Sequence, residues 1–306
     1  MIRTKSPTPA QITIPRLAWI MLIALALIWG SSFLVTTTLV ETMAPLHAVT
    51  HRVVWAAAFL WVYVLLRRFP LPRDLPTLAA LLVMGALNNA LPFTLQAWAQ
   101  TTIESGLAGI LNATTAILGP LVAALVLADE RLTRAKAVGV ALGFAGVAVV
   151  IGLDALKGLD LRSLAQLAML GSTLSYAVSS AFARKRLGHL RPEVAALGMV
   201  TGSSLILLPL SWIEAGPLPL ALPGPTLAAL AYYGLVVTAL AYLLYYRIIR
   251  TAGAGNATLV TLLIVPVAVA LGALARAESL PPKDFAGFAL IALGLVVIDG
   301  RLLRRN

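Results

Sequence analysis

The sequence predicts an all-α integral membrane protein, with ten transmembrane helices arranged as two inverted five-helix repeats. Three observations predict it. Apolar stretches of about bilayer length fill the chain almost end to end. The basic residues between them fall on alternate sides. Two sets of residues recur at one spacing. Hydrophobic residues make up 60% of the 306 and charged residues only 11%, and the mean hydropathy is +0.92. An ordinary soluble domain carries about 25% charged residues, so most of this chain belongs in lipid.

A helix needs about 20 apolar residues to cross the hydrocarbon. The stretches that qualify are, in order, Leu17–Leu39, Leu46–Leu66, Leu75–Ala97, Ser105–Leu127, Ala135–Leu153, Leu164–Phe182, Val194–Trp212, Thr226–Tyr246, Gly253–Ala275 and Phe285–Leu303. The first is too long for a signal-peptide core and ends in no clear cleavage site, so it is expected to stay as a helix. The tenth is the least clean, because Asp299 and Arg301 fall in its last turn. Breaks such as Arg67-Arg68-Phe69-Pro70 and Asp129-Glu130-Arg131 carry proline and charge. The loops leave no room for a soluble domain. The organisation expected is a cytoplasmic segment 1–16, a first repeat 17–153, an extracytoplasmic linker 154–163, and a second repeat 164–306 with a short cytoplasmic tail.

With the N-terminus inside, only Arg52, Lys157, Arg162, Arg276 and Lys283 of the 23 basic residues fall outside. The positive-inside rule therefore places both termini in the cytoplasm. The net charge of +11 is spread over short turns. That distribution suits anionic lipid headgroups and gives no nucleic-acid surface. There is no cysteine, which excludes disulfides and thiolate metal sites.

The duplication shows in Glu130, Leu132, Gly139, Leu142, Gly146, Val149 and Gly152. They recur 148 residues later as Glu278, Leu280, Gly287, Leu290, Gly294, Val297 and Gly300. Upstream, Gly85 and its neighbours match Gly234 and its neighbours at an offset of 149. The Gly and Glu matches weigh most in so Ala- and Leu-rich a chain. Five helices is an odd number, so the second repeat crosses in the opposite sense. Inverted repeats mark alternating-access carriers, with substrate held between the halves near the midplane.

The polar residues inside the spans are the candidate site. Span 3 carries Gly85, Asn89, Pro92 and Gln96 on one helical face, with Asn88 beside it. Amides in hydrocarbon need partners, so this stripe is either interhelical glue or cavity lining, and Pro92 favours lining. The matched span 8 offers Thr238, Tyr242 and Tyr245. Tyr232, Tyr233 and Tyr246 fit an aromatic belt at the headgroups. Span 4 offers Asn112 and Thr115 ahead of Pro120, and span 9 offers Asn256, Thr258 and Thr261 ahead of Pro266. Broken helices at matched positions point to a carrier site, although prolines also kink helices for packing alone. Span 1 adds Trp29, Ser32 and Thr36, and span 6 adds Ser175, Tyr176 and Ser179. These fit either direct contact or packing. Span 5 has a GxxxG at Gly139–Gly143 that lets backbones approach closely, and spans 5 and 10 read as peripheral scaffold.

No Asp, Glu or Lys sits in a span interior, whereas proton- and sodium-coupled carriers commonly bury a carboxylate. The titratable candidates are His47, His51 and Arg52 at the outer end of span 2, with Glu104 at the outer end of span 4. His47 and His51 lie one turn apart, but no third metal ligand is evident. Arg52 either meets a substrate carboxylate or snorkels to headgroups, and the sequence favours snorkelling.

At these motifs the chain resembles the EamA branch of the drug/metabolite transporter superfamily. Trp29-Gly30-Ser31-Ser32-Phe33 resembles the family's opening motif. Gly106, Pro120, Asp129-Glu130 and Gly139 to Gly146 resemble its span 4–5 segment. The resemblance runs from about Ala18 to Leu302, and within the family the layout is similar to bacterial amino-acid exporters of the YddG type. It implies the drug/metabolite transporter fold, a bacterial inner-membrane location and export of a small neutral or zwitterionic metabolite, with amino acids favoured. Spans 1, 3, 4, 6, 8 and 9 would line the cavity and spans 2 and 7 would gate it. The expected substrate-binding residues are Trp29, Ser32, Asn88, Asn89, Gln96, Trp98, Asn112, Thr115, Tyr176, Ser179, Thr238, Tyr242 and Tyr245. The expected gating or coupling residues are His51, Arg52, Pro120 and Pro266. No cofactor or metal is expected. The expected partners are a small-molecule substrate and membrane lipid, with the chain a monomer or weak homodimer. The rival readings are another substrate class, such as nucleosides or amphipathic drugs, a passive channel, and an intramembrane enzyme acting on lipid-linked substrates.

Overall fold

The computed structural model describes residues 15–126, 134–151, 161–252 and 260–299. Every regular element among them is helical. In chain order these are α1 (Arg16–Val40), α2 (Pro45–Leu66), α3 (Leu75–Ala99), α4 (Ser105–Val126), α5 (Arg134–Ile151), α6 (Leu161–Arg186), α7 (Pro192–Ala215), α8 (Gly224–Thr251), α9 (Val260–Arg276) and α10 (Pro282–Asp299). Six of them, α1, α2, α3, α4, α7 and α8, are long and apolar enough to cross a membrane. Leu66, Leu75, Leu125 and Leu274 lie exposed on the outside of the bundle. A bundle with such a surface is built for lipid, where each helix satisfies its own backbone. The acidic pair Asp129-Glu130, the candidates Asn256 and Thr258, and most of the 154–163 linker lie outside the described residues. The part of that linker that is described, from Leu161, is already helical, so α6 starts three residues before the expected span.

Local signals explain several helix ends. Asp74 caps α3 by accepting the Thr77 N–H at 2.9 Å, which fills one of the orphan donors of a helix start. Those hydrogen bonds hold its carboxyl below the usual carboxylate range. Prolines at the first turns of α2, α3 and α7 occupy positions where a missing N–H costs nothing. Glu278, between α9 and α10, accepts from the backbone N–H groups of Ser105 and Gly106 and from the Ser105 hydroxyl. An anion at a helix N-terminus is stabilised there, and this one fastens the α9–α10 connection to the start of α4.

The packing repeats when the halves are exchanged. α1 packs on α9 as α6 packs on α4; α2 packs on α8 as α7 packs on α3; α3 packs on α6 as α8 packs on α1. The pairs α2–α7 and α5–α10 map onto themselves. Matched glycines make some of the close approaches. A Cβ on Gly85 would stand 2.5 Å from the Ser203 nitrogen of α7, and one on its match Gly234 would stand 3.2 Å from the Arg52 carbonyl of α2. Small residues at such contacts let lipid-embedded helices pack by dispersion, since no hydrophobic force joins them there.

Two helices are interrupted in the same way. Residues Ala86–Ala90 of α3 and Tyr232–Leu240 of α8 wind as π-helix, each directly after or around its matched glycine. Under the 149-residue offset, 86–90 falls on 235–239, inside the second π segment. Such segments widen the helix and free carbonyls, and they recur at functional sites.

Candidate functional site

The freed carbonyls locate the site. In α3, the Leu87 carbonyl accepts the Ser175 hydroxyl of α6. In α8, the Val237 carbonyl accepts Trp29 Nε1–H of α1 at 3.2 Å. The exchange of halves that carries α3 onto α8 carries α6 onto α1, so the two repairs are counterparts. The Tyr233 carbonyl of α8 is taken by the Thr238 hydroxyl, five residues on, at 2.9 Å. Side chains of neighbouring helices and local hydroxyls thus do the satisfying that lipid cannot.

Two polar clusters surround these segments. The first centres on Asn89, which is fully buried. Its Oδ1 accepts from the Tyr242 hydroxyl at 2.6 Å and its Nδ2 donates to Ser203 Oγ at 3.3 Å. Asn88 Oδ1 accepts from Ser179 at 2.7 Å, and its Nδ2 faces Met199 Sδ at 3.1 Å and the Tyr242 hydroxyl at 3.5 Å. Two turns further, Gln96 Nε2 donates to Ser172 Oγ at 2.7 Å and to the Tyr176 hydroxyl at 3.1 Å. Tyr245 lies against Trp29 with ring centroids 5.4 Å apart.

The second cluster centres on Arg52. This residue does not snorkel. It is 6% exposed, and its Nε and Nη1 donate to Thr238 Oγ1 at 2.9 Å and to the Tyr233 hydroxyl at 3.0 Å. The guanidinium lies 3.5 Å from the centroid of the Phe93 ring and 4.4 Å from that of Tyr233. Tyr233 in turn shares a 2.6 Å bond with Thr36, whose hydroxyl reaches the Ser32 carbonyl. Arg52 therefore heads a chain of hydrogen bonds from α2 through α8 to α1. The reason is position. Arg52 is in the second turn of α2, and the neighbouring π segment of α8 turns Thr238 and Tyr233 toward it. Uncompensated burial of an ion costs several kcal/mol, and ring faces offset about 2 kcal/mol when desolvated.

Other expectations are corrected as well. Tyr233 is 1% exposed, so it is no headgroup belt residue. Trp98 is 41% exposed, on the surface of the bundle. Pro266 is exposed on a continuous α9, and the break in α4 falls at Ala113–Thr114, ahead of Pro120. There the Thr114 hydroxyl takes the Leu111 carbonyl and bonds Thr173 of α6 at 3.0 Å, competing with the backbone ladder. Asn112 is half-buried and joins neither cluster. The Thr115 hydroxyl is sealed without a partner. Ser32 spends its hydroxyl on the Trp29 carbonyl. His51 Nε2 lies 3.0 Å from the Pro219 carbonyl and His47 Nε2 3.3 Å from that of Gly216, so both histidines hold the α7–α8 loop over the end of α2.

The sequence missed Ser172, Ser203 and the role of Glu278. Serines in such spans carry no signal that separates packing from contact. It also missed Asp284 in the first turn of α10, which is 1% exposed with Oδ2 unpartnered. An apolar cleft of about 400 Å³ opens between α4, α5 and α6, lined by Ile117, Leu121, Phe144 and Leu174 among others. None of its lining residues belongs to either polar cluster, and it has no polar surface to orient a ligand.

Comparison with known proteins bears on what this arrangement serves. The profile of the EamA-like transporter family matches residues 16–152 and again residues 163–299. The chain belongs to the EamA-like transporter family. It is a multi-pass membrane protein, and the family's two repeats account for its duplicated packing. An uncharacterized transporter of Archaeoglobus fulgidus is 26% identical over 92% of this chain and 98% of its own length. A probable terminal-alkyne amino-acid exporter of Streptantibioticus cattleyicolor is 28% identical over 78% of each chain. The uncharacterized inner membrane transporter YedA of Escherichia coli is 27% identical over 90% of this chain and 89% of its own. A solved crystal structure superposes with a TM-score of 0.66 over 94% of this chain and 98% of the other at 20% identity, which establishes the fold.

Proposed function

We propose that this protein is an inner-membrane carrier that exports small neutral or zwitterionic metabolites, with amino acids the favoured class, by alternating access. In this reading α1 to α10 are ten crossings with both termini cytoplasmic, and the second repeat is inverted. The observation that carries it is the bond between Tyr242 of the second half and Asn89 of the first. It joins the interrupted helices of the two repeats through groups that a polar ligand can replace. Amides, hydroxyls and aromatic faces there suit a small polar molecule with an apolar portion. A relative named as a probable amino-acid exporter supports the class. Saturable flux is the mark of a carrier against a channel. The test is counterflow in proteoliposomes against labelled amino acids, nucleosides and sugars. Saturable exchange of amino acids is the expected result; exchange confined to nucleosides or sugars overturns the class.

A further inference from the structure

Arg52 is the one Lys or Arg side chain buried among the described residues. The described ion pairs are Arg162–Glu104, Arg191–Glu193 and Arg276–Glu41, all at least partly exposed. Arg52 has no carboxylate partner among the described residues. Its protein acceptors are two neutral hydroxyls, which use two of its five N–H donors, and Nη2 meets no acceptor among the described residues. An arginine does not shed its charge to escape burial. A buried cation with open donors and no counter-ion is a site waiting for an anion.

Resting on the carrier reading above, we infer that Arg52 binds the carboxylate of the transported molecule and so restricts transport to carboxylate-bearing substrates. The guanidinium is fixed on both sides by hydroxyls and rings, so its remaining edge is preorganised for planar, two-point contact with a carboxylate. Its charge also acts on Tyr176 and Tyr242, which places it within electrostatic reach of the Asn88–Asn89 and Gln96 cluster. A carboxylate is favoured over a phosphate. A phosphate carries about −1.5 to −2 at neutral pH, and no second buried cation accompanies Arg52 to match it. The other end of the molecule meets amide oxygens and the Trp29–Tyr245 rings, which hold an ammonium without a buried acid.

The full-length protein is reconstituted in proteoliposomes and loaded with labelled amino acids. Each amino acid is competed with itself, its carboxamide and its decarboxylated amine, with phosphoethanolamine as the phosphate arm. Binding of the same compounds is read by thermal shift in detergent. In the wild type the acid should outcompete the amide and amine on the order of 100-fold, the cost of stripping one partner from a buried charge pair. Arg52→Gln should abolish that preference, and Arg52→Lys should keep part of it. If wild type carries amides and amines as well as acids, the carrier stands and the role of Arg52 falls. A preference for phosphoethanolamine overturns the carboxylate. If none of these compounds binds or exchanges, this inference fails together with the amino-acid reading. Should Arg52→Gln fail to fold, the wild-type comparison of acid with amide decides alone.

Discussion

Gly146 of α5 lies against the backbone of Gly287 in α10. A Cβ on it would stand 2.6 Å from the Gly287 carbonyl oxygen, and one on Gly294 would stand 2.5 Å from that of Gly139. The two contacts are counterparts, since Gly139 matches Gly287 and Gly146 matches Gly294. Backbone cannot yield as a side chain can, so added volume must push the helices apart. Gly146→Val should destabilise by about 1–3 kcal/mol, the usual range for overpacking. Gly119→Ala, where nothing lies within 4 Å, should be neutral or mildly stabilising. Thermal denaturation in detergent, followed by size exclusion, checks both. Equal stability of Gly146→Val and the wild type would remove the glycine contact as the reason for the match.

Topology has its own test, because the chain has no cysteine to interfere. The charge split puts the α7–α8 loop outside and the α2–α3 turn inside. The contacts of His47 and His51 place that loop at the start of α2, which agrees with one shared face. Cysteine at Leu220, 79% exposed, should react with an impermeant thiol reagent in intact spheroplasts. Cysteine at the exposed Arg73 should react only after lysis. The reverse pattern would invert every face assigned here.

Helix positions were legible because they depend on composition summed over many residues. The repeat was legible through glycines whose contacts now explain them. Asn88, Asn89, Gln96, Thr238 and Tyr242 do find hydrogen-bond partners inside the bundle, as amides and hydroxyls in hydrocarbon must. The π segments were not legible. Their residues spell no turn signal that separates a π segment from an ordinary membrane helix, and the α8 segment holds no proline, whereas Pro120 and Pro266 are the visible breakers. Arg52 was misjudged for the same reason. Snorkelling follows from counting residues to the end of a regular helix, and the π turn of α8 is what brings Thr238 and Tyr233 to it.

Asn89 separates glue from cavity lining. Asn89→Leu leaves the Tyr242 and Ser203 hydroxyls without their partner. An interhelical hydrogen bond in a membrane contributes about 0.6–2 kcal/mol, so folded protein should still reach the membrane. Transport should fall about tenfold or more, since one interaction of roughly 1.4 kcal/mol in the transport barrier is a factor of ten. Tyr242→Phe should fall less, because Asn88 still faces the ring. Normal transport by well-folded Asn89→Leu would make these amides packing devices.

Energy coupling is the last point. The interiors of the spans expected from the sequence hold no carboxylate, and Arg52 is the one charge buried within them among the described residues. Histidine is the remaining side-chain type whose charge changes near neutrality; of the two at the start of α2 His51 is the more buried, and its Nε2 is engaged with the Pro219 carbonyl. Transport should therefore proceed by exchange or downhill flux with weak dependence on a proton gradient. The assay is uptake into proteoliposomes with and without an imposed pH gradient, for wild type, His51→Ala and Asp284→Asn. A residual dependence that disappears in His51→Ala would assign it to the hinge between α2 and the α7–α8 loop. Strong gradient-driven accumulation that survives in His51→Ala would overturn this account. Asp284 would then be the group to blame, because it is buried at the start of α10 with one oxygen unpartnered and within electrostatic range of Arg162 and Glu104. Loss of that accumulation in Asp284→Asn would show a proton site at the start of α10, reached without any carboxylate in a span interior.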